Sequence, residues 1–209
     1  MRQLSIKLPS GHQVTIQEPR IVTEEAVAVS YTEKQLVGGQ SRRFARDLCA
    51  AAIVEFDGKR VDDLFNPRQA LSSFADWNVL EAAYNSMLGV ESIMAATNSA
   101  VEQLKQNKNT SVEVTMSDGR LVTLVPLTID QVEELEVRGR YGANEWFRAL
   151  HDRAAASVSK VNGEAVIPGV FNARVEFPLS RDWAVLKAVT AEMNSAEVDP
   201  RDFFPSIPA

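Results

Sequence analysis

Leu4, Ile6 and Leu8 alternate with polar residues, Pro9-Ser10-Gly11-His12 supplies turn chemistry, and Val14 and Ile16 resume the alternation. A period of two interrupted by turn residues predicts a β-hairpin with one buried face. The pattern returns 108 residues later, where Val112-Glu113-Val114-Thr115-Met116 leads through Ser117-Asp118-Gly119-Arg120 to Leu121-Val122-Thr123-Leu124, with Gly119 answering to Gly11. Asp57-Gly58 answers to Asn162-Gly163, Phe65-Asn66 to Phe171-Asn172, and Trp77 to Trp183, at offsets of 105 and 106. Drift of that kind is what loop-length variation between two copies of one fold produces. After the two Trp residues the apolar positions keep step: Leu80 with Leu186, Ala82 with Ala188, Met87 with Met193. The reading is a duplicated unit, in fewer copies than the three or so that a solenoid needs.

Between these landmarks the period changes to that of helices. Thr23-Glu24-Glu25-Ala26 reads as an N-cap with an acidic first turn, predicting a helix to about Thr32 that Gly38-Gly39 ends. Thr128-Ile129-Asp130-Gln131 reads as a capping box opening the matching helix. Phe44, Leu48, Ala51 and Ala52 form one helical face, answered by Trp146, Phe147, Leu150 and Ala154. Asp57-Gly58-Lys59 and Asn162-Gly163-Glu164 fit either the tip of a second hairpin or a plain loop. Asp76 and Asp182 each precede a Trp that packs inward and lie near a helix N-terminus, where a carboxylate is favoured.

From Trp77 to Gln106 the chain lacks proline and only Gly89 interrupts it, which predicts one long or kinked helix between the halves. Asn107-Lys108-Asn109-Thr110 is the best boundary, separating residues 1–108 from 109–209. The expected class is therefore α+β: two tandem repeats, each a β-hairpin followed by two or three helices, joined by a long helical segment. The final stretch, Asp199 to Ala209, carries three prolines and the pair Phe203-Phe204, which either folds back on the core or docks on a partner.

Composition narrows the function classes. Of 209 residues 45% are hydrophobic, enough for a modest core in each half. The net charge of −6 is uneven, with 12 basic and 13 acidic side chains in residues 1–108 against 10 and 15 in residues 109–209. A protein that wraps phosphate backbones carries a basic face and a high pI, so nucleic acid is not expected as the main partner. Ser41-Arg42-Arg43-Phe44-Ala45-Arg46 is the one basic patch, and a solvated helix start is the better explanation of it. The single cysteine, Cys49, excludes an intrachain disulfide, fits a reducing compartment and reads as a small buried hydrophobe. No signal-peptide core and no run of 18 apolar residues occurs, so a soluble cytosolic protein is expected.

Catalytic signals are sparse. His12 and His151 are the only histidines, one in a turn and one on an amphipathic helix. No spacing of His, Cys or acidic residues suits a metal site. Neither a dinucleotide fingerprint nor a phosphate loop occurs, Gly38-Gly39-Gln40-Ser41-Arg42 being a poor substitute, and no nucleophile elbow is present. Asp62-Asp63 and Asp76 offer carboxylates for glycoside-type chemistry, but nothing in the second half matches Asp62-Asp63. The expectation is a non-enzymatic protein with no cofactor and no metal. The alternative is a cytosolic enzyme whose site lies at the junction of the two repeats.

Leu8-Pro9-Ser10-Gly11, the helix start Thr23-Glu24-Glu25, a helix ending near Cys49-Ala50-Ala51, and Asp76-Trp77 together resemble the small proteins that help build bacteriophage tails. In particular the chain looks like the baseplate hub proteins of contractile-tailed phages and the related tail assembly chaperones. The resemblance covers Leu4 to Gly89 best and extends to about residue 195. It implies a hairpin followed by helices, no enzymatic activity, other tail or baseplate proteins as partners, and a place in the host cytoplasm or the virion baseplate. Chaperones of this type are often a single copy, so a doubled unit leans towards the baseplate protein. Phe203 and Phe204 in the tail, with Arg42 and Arg43 at the basic helix start, are the candidate partner-binding residues.

Overall fold

A computed structural model describes residues 2–36, 40–62, 64–106, 111–139, 141–142 and 144–195. Helices and antiparallel strands are mixed, as the α+β expectation requires. The strands form two four-stranded sheets, ordered β1-β2-β3-β4 and β5-β6-β7-β8. The first contains β1 (Gln3–Lys7), β2 (Gln13–Gln17), β3 (Ile53–Phe56) and β4 (Lys59–Arg60); the second contains β5 (Val112–Thr115), β6 (Leu121–Leu124), β7 (Val158–Val161) and β8 (Glu164–Ala165). Both alternating segments form the predicted hairpins. Leu4 faces Ile16 in one and Val112 faces Leu124 in the other. The turns match too, since the N–H of Leu8 donates to His12 O and that of Met116 to Arg120 O, both at 2.8 Å.

The two short loops left open by the sequence are hairpin tips. Asp57 and Gly58 have φ of 49° and 75°, Asn162 and Gly163 of 51° and 82°. Positive φ at both central residues is what a two-residue turn between right-twisted strands demands, and Asp, Asn and Gly tolerate it best. Each sheet also has one register irregularity where its second strand meets its third, at Thr15/Ile16 and at Thr123/Leu124.

Helices depart further from expectation. Helix α1 (Ile21–Ala28) begins two residues before Thr23 and stops short of Thr32; Arg20 at its N-cap makes no side-chain cap bond. Tertiary contacts set this start. Arg20 forms a β-bridge with Leu179, Ile21 N–H donates to Pro178 O at 3.1 Å, and the Ile21 side chain is fully buried. Thr32 caps a separate helix, α2 (Glu33–Gln35), through reciprocal bonds with Gln35 at 2.8 and 3.2 Å. Thr128 and Gln131 make the same reciprocal pair at 2.9 and 3.3 Å before α7 (Ile129–Gly139). The box answering Thr128 is thus at Thr32 rather than Thr23, and no helix comparable to α1 lies between β6 and α7. Gly38 and Gly39 lie outside the described residues.

The expected long helix is two helices. Helix α5 (Phe74–Leu88) ends at Gly89 in the left-handed conformation, φ 70° and ψ 49°, whose N–H returns to Asn85 O and Ser86 O, and α6 (Val90–Gln106) follows. A glycine placed for that cap stops a helix more cheaply than any other residue does. The remaining helices are α3 (Ser41–Ala51), α4 (Pro67–Ala70), α8 (Trp146–Ala156), α9 (Ala173–Glu176) and α10 (Ser180–Ser195).

The chain divides into two compact units. One comprises Met1–Val90, Tyr141–Arg148 and Phe177–Arg181; the other comprises Glu91–Arg140, Ala149–Glu176 and Asp182–Ala209. In the first, Val14, Ile16, Ile53, Leu71, Trp77 and Leu80 join the β-sheet to α5 in one core. In the second, Val112, Val122, Leu124, Trp183, Leu186 and Met193 are each fully buried. The boundary at Asn107–Thr110 lies outside the described residues. No described helix is long and apolar enough to cross a membrane.

Candidate functional site

Helix α3 opens with Ser41-Arg42-Arg43 and has Arg46 one turn beyond Arg42, so two guanidiniums share a face. They line an open cleft of about 730 Å³, together with Arg43, Arg68, Leu71, Ser72, Phe74 and Trp77. Arg68 comes from α4, whose N-cap Asn66 accepts the N–H groups of Arg68 and Gln69. Phe74 and Trp77 come from the first turn of α5.

The four arginines are not equivalent. Arg68 is committed, donating from Nε at 3.0 Å and Nη2 at 2.5 Å to one oxygen of Asp47, while the Tyr31 hydroxyl donates to the other. The Asp47 bond holds the Arg68 guanidinium above its ordinary pKa. Burial, and then the bond to Asp47, push the Tyr31 hydroxyl up. Arg46 is partly committed: Nε lies 3.6 Å from Glu81 Oε1, and the guanidinium sits 5.4 Å from the Phe74 ring centre and 5.9 Å from that of Trp77. Arg42 and Arg43 are exposed and make no hydrogen bond or ion pair among the described residues.

Beneath them Trp77 is anchored, its Nε1–H donating to Leu71 O at 2.7 Å, while Phe74 is 58% exposed at the rim. Two free guanidinium forks beside an aromatic rim fit an anionic group, above all a carboxylate, attached to an apolar one. Sequence reasoning singled out Arg42 and Arg43 but missed Arg68, Phe74 and Trp77 as cleft-forming residues. No local signal marks them, because α4 and α5 reach α3 only through the fold. Phe203 and Phe204 lie outside the described residues.

The matching positions of the second half are filled. At the second, sixth and seventh residues of α3 stand Arg42, Arg46 and Asp47; at those of α8 stand Phe147, His151 and Asp152. Phe147 is 8% exposed and His151 fully buried, its ring edge-on to Trp183 at 5.0 Å. Phe74 opens α5 exposed, whereas Ser180 opens α10 at 2% exposure. One element is shared: Arg174 of α9 pairs with Asp152 at 2.7 Å, as Arg68 of α4 pairs with Asp47.

The other residues of chemical interest hold the backbone together. Asp76 accepts from Ser10 N–H at 2.9 Å, and Asp182 accepts from both N–H and hydroxyl of Ser117 at 2.7 and 3.0 Å, so each carboxylate ties a hairpin turn to a helix start. Asp57 accepts from Gln13 N–H at 2.8 Å and faces His12 Nδ1 at 2.7 Å, which holds its carboxyl below the usual range. Asp62 accepts the Leu64 N–H, and Asp63 lies outside the described residues. Burial, then the Glu81 charge, raise the Cys49 thiol to about 12. Among the described residues no group of three or more His, Cys, Asp and Glu is placed to hold a metal ion. No family model matches this sequence, and neither a curated protein nor a solved structure matches it.

Proposed function

We propose that the chain is an internally duplicated, non-enzymatic assembly protein that docks an acidic segment of a partner protein in the arginine-lined cleft. The carrying observation is the contrast at equivalent helix positions: Arg42, Arg46 and exposed Phe74 leave a cleft open where Phe147, His151 and Ser180 are buried. Exposed arginines beside an exposed aromatic ring serve no packing purpose, and Arg and aromatic residues are the types that dominate binding energy at interfaces. The duplication is supported by the common strand order, the paired register irregularities and the two Asp-to-turn ties.

The biological setting we propose is phage tail morphogenesis, as a baseplate hub subunit or assembly chaperone acting in the host cytoplasm or retained in the baseplate. Its support is the resemblance carried by Leu8-Pro9-Ser10-Gly11, Thr23-Glu24-Glu25 and Asp76-Trp77. Co-expression of the tagged chain with tail tube, tape-measure and baseplate proteins tests both parts. Recovery of one of these by the wild type, and its loss from Arg42→Glu/Arg43→Glu, is the expected result. Recovery of none removes the tail setting, and equal recovery by the double variant removes the cleft as the docking site.

A further inference from the structure

Helix α7 carries an exposed face that its own unit leaves unused. Ile129, Glu133 and Val137 recur at a spacing of four, which stacks them on one side of the helix. Ile129 and Val137 are 77% and 74% exposed, and no residue of α7 is buried. Asp130 flanks this stripe. Neither Asp130 nor Glu133 has an ion-pair partner among the described residues, whereas Glu134 pairs with Arg138 and Glu136 with Arg153. An apolar–acidic–apolar stripe is the complement of a cleft that offers two free guanidiniums and an aromatic rim.

We infer that α7 of one copy of the chain docks in the arginine cleft of a second copy, so that copies associate head to tail. The inference rests on the docking reading above and names the occupant. Asp130 and Glu133 meet Arg42 and Arg43, while Ile129 and Val137 cover Phe74; this is the helix-in-groove mode of recognition, with a helix of 11 residues, about 16 Å long. The complementarity is local: Arg42 and Arg43 at the cleft and Asp130 and Glu133 on α7 are opposite in sign and all exposed. The contact is heterologous: each added copy leaves one cleft and one α7 unused, so association grows with concentration and weakens with salt.

Sedimentation velocity of the whole chain, over about 1 µM to 1 mM and at low and high salt, reads this directly. The wild type is expected to associate, and Arg42→Glu/Arg43→Glu or Asp130→Arg/Glu133→Arg to weaken association by about a hundredfold or more, since like charges then face each other. All four positions are exposed, so circular dichroism of both variants is expected to match the wild type. Mixing the two variants makes two pairings charge-complementary again, native cleft with native α7 and reversed cleft with reversed α7. The mixture is therefore expected to regain association that each variant alone has lost, with the two variants alternating head to tail. A wild type that stays monomeric throughout overturns the inference, as does association that both variants retain. A monomeric wild type that still captures a tail protein through Arg42 and Arg43 overturns only the choice of occupant and leaves the docking reading intact.

Discussion

Helices α3 and α8 are each 11 residues long and lead directly into the third strand of their sheets, yet one borders an open cationic cleft and the other is sealed by aromatic and imidazole rings. The framework around them is alike. Each has an Asp at its seventh residue paired with an Arg from the following short helix, and a Trp at the fourth residue of α5 or α10. The residues beside these supports differ: Arg42, Arg46 and Phe74 in one, Phe147, His151 and Ser180 in the other. Packing alone does not account for a polar, unsealed face at one of two similarly supported helices, which is the contrast on which the proposed docking site rests.

The sharpest way to break that comparison is to exchange the sixth residues. His151→Arg forces a longer, charged side chain into a fully buried site and is expected to cost about 3–5 kcal/mol, whereas Arg46→His, with a side chain 32% exposed, is expected to cost less than about 1 kcal/mol. Urea denaturation of the two variants measures both. Similar costs would mean that the two positions are not opened and sealed as described.

The next effect concerns the carboxylates that precede Trp77 and Trp183. Asp182→Ala removes two charge-assisted bonds to Ser117 and is expected to cost about 3 kcal/mol; Asp76→Ala removes one to Ser10 and is expected to cost about half of that. Reversal of that order, read by thermal unfolding, would show that the second hairpin does not depend more heavily on its tie.

Cys49 and Ala154 occupy the ninth residues of α3 and α8, both buried. With its thiol raised to about 12, Cys49 is protonated and enclosed at neutral pH, so a thiol reagent is expected to modify it only as the chain unfolds. Rapid labelling of the folded protein would show that the first unit opens far more readily than its core implies. Cys49→Ala is expected to lose about 1 kcal/mol through the missing sulfur contact.

The smallest effect separates the hairpin tips. Asp57 accepts the Gln13 N–H and Asn162 accepts the Leu121 N–H at 2.9 Å, but only Asp57 titrates. Its folded pKa is depressed, by the Gln13 N–H first and His12 second, so its contribution is complete above the unfolded value of about 3.9 and is lost as pH falls through the lower folded value. Amide exchange at Gln13 is expected to quicken in acid while that at Leu121 stays level. Equal acceleration at both would show that the carboxylate is not what holds the first tip.

Much of the fold was legible because its signals are local. Alternation at Leu4–Ile16 and Val112–Leu124 marked both first hairpins, and Asp76-Trp77 and Asp182-Trp183 marked both helix starts. Misplaced starts had tertiary causes: α1 begins at Ile21 because Pro178 and Leu179 meet it there, against the capping signal at Thr23. At Gly89 a signal was visible but its weight was not, since a lone glycine kinks or ends a helix according to whether it takes positive φ. The candidate site was half legible. Arg42 and Arg43 stood out as a charge run, while Arg68 and Phe74, distant in sequence, became neighbours only on folding.

The sequence by itself determined the first hairpin of each half, the capping box at Thr128 and the burial of Trp77 and Trp183, because each depends on backbone chemistry or hydrophobicity within a few residues. Tertiary structure alone decided that Arg42 lines a cleft while Phe147 is buried, and that Asp76 and Asp182 hold turns some 65 residues away. Those outcomes depend on which surfaces the packed helices bring together, and desolvation and charge pairing act on that arrangement rather than on the order of residues.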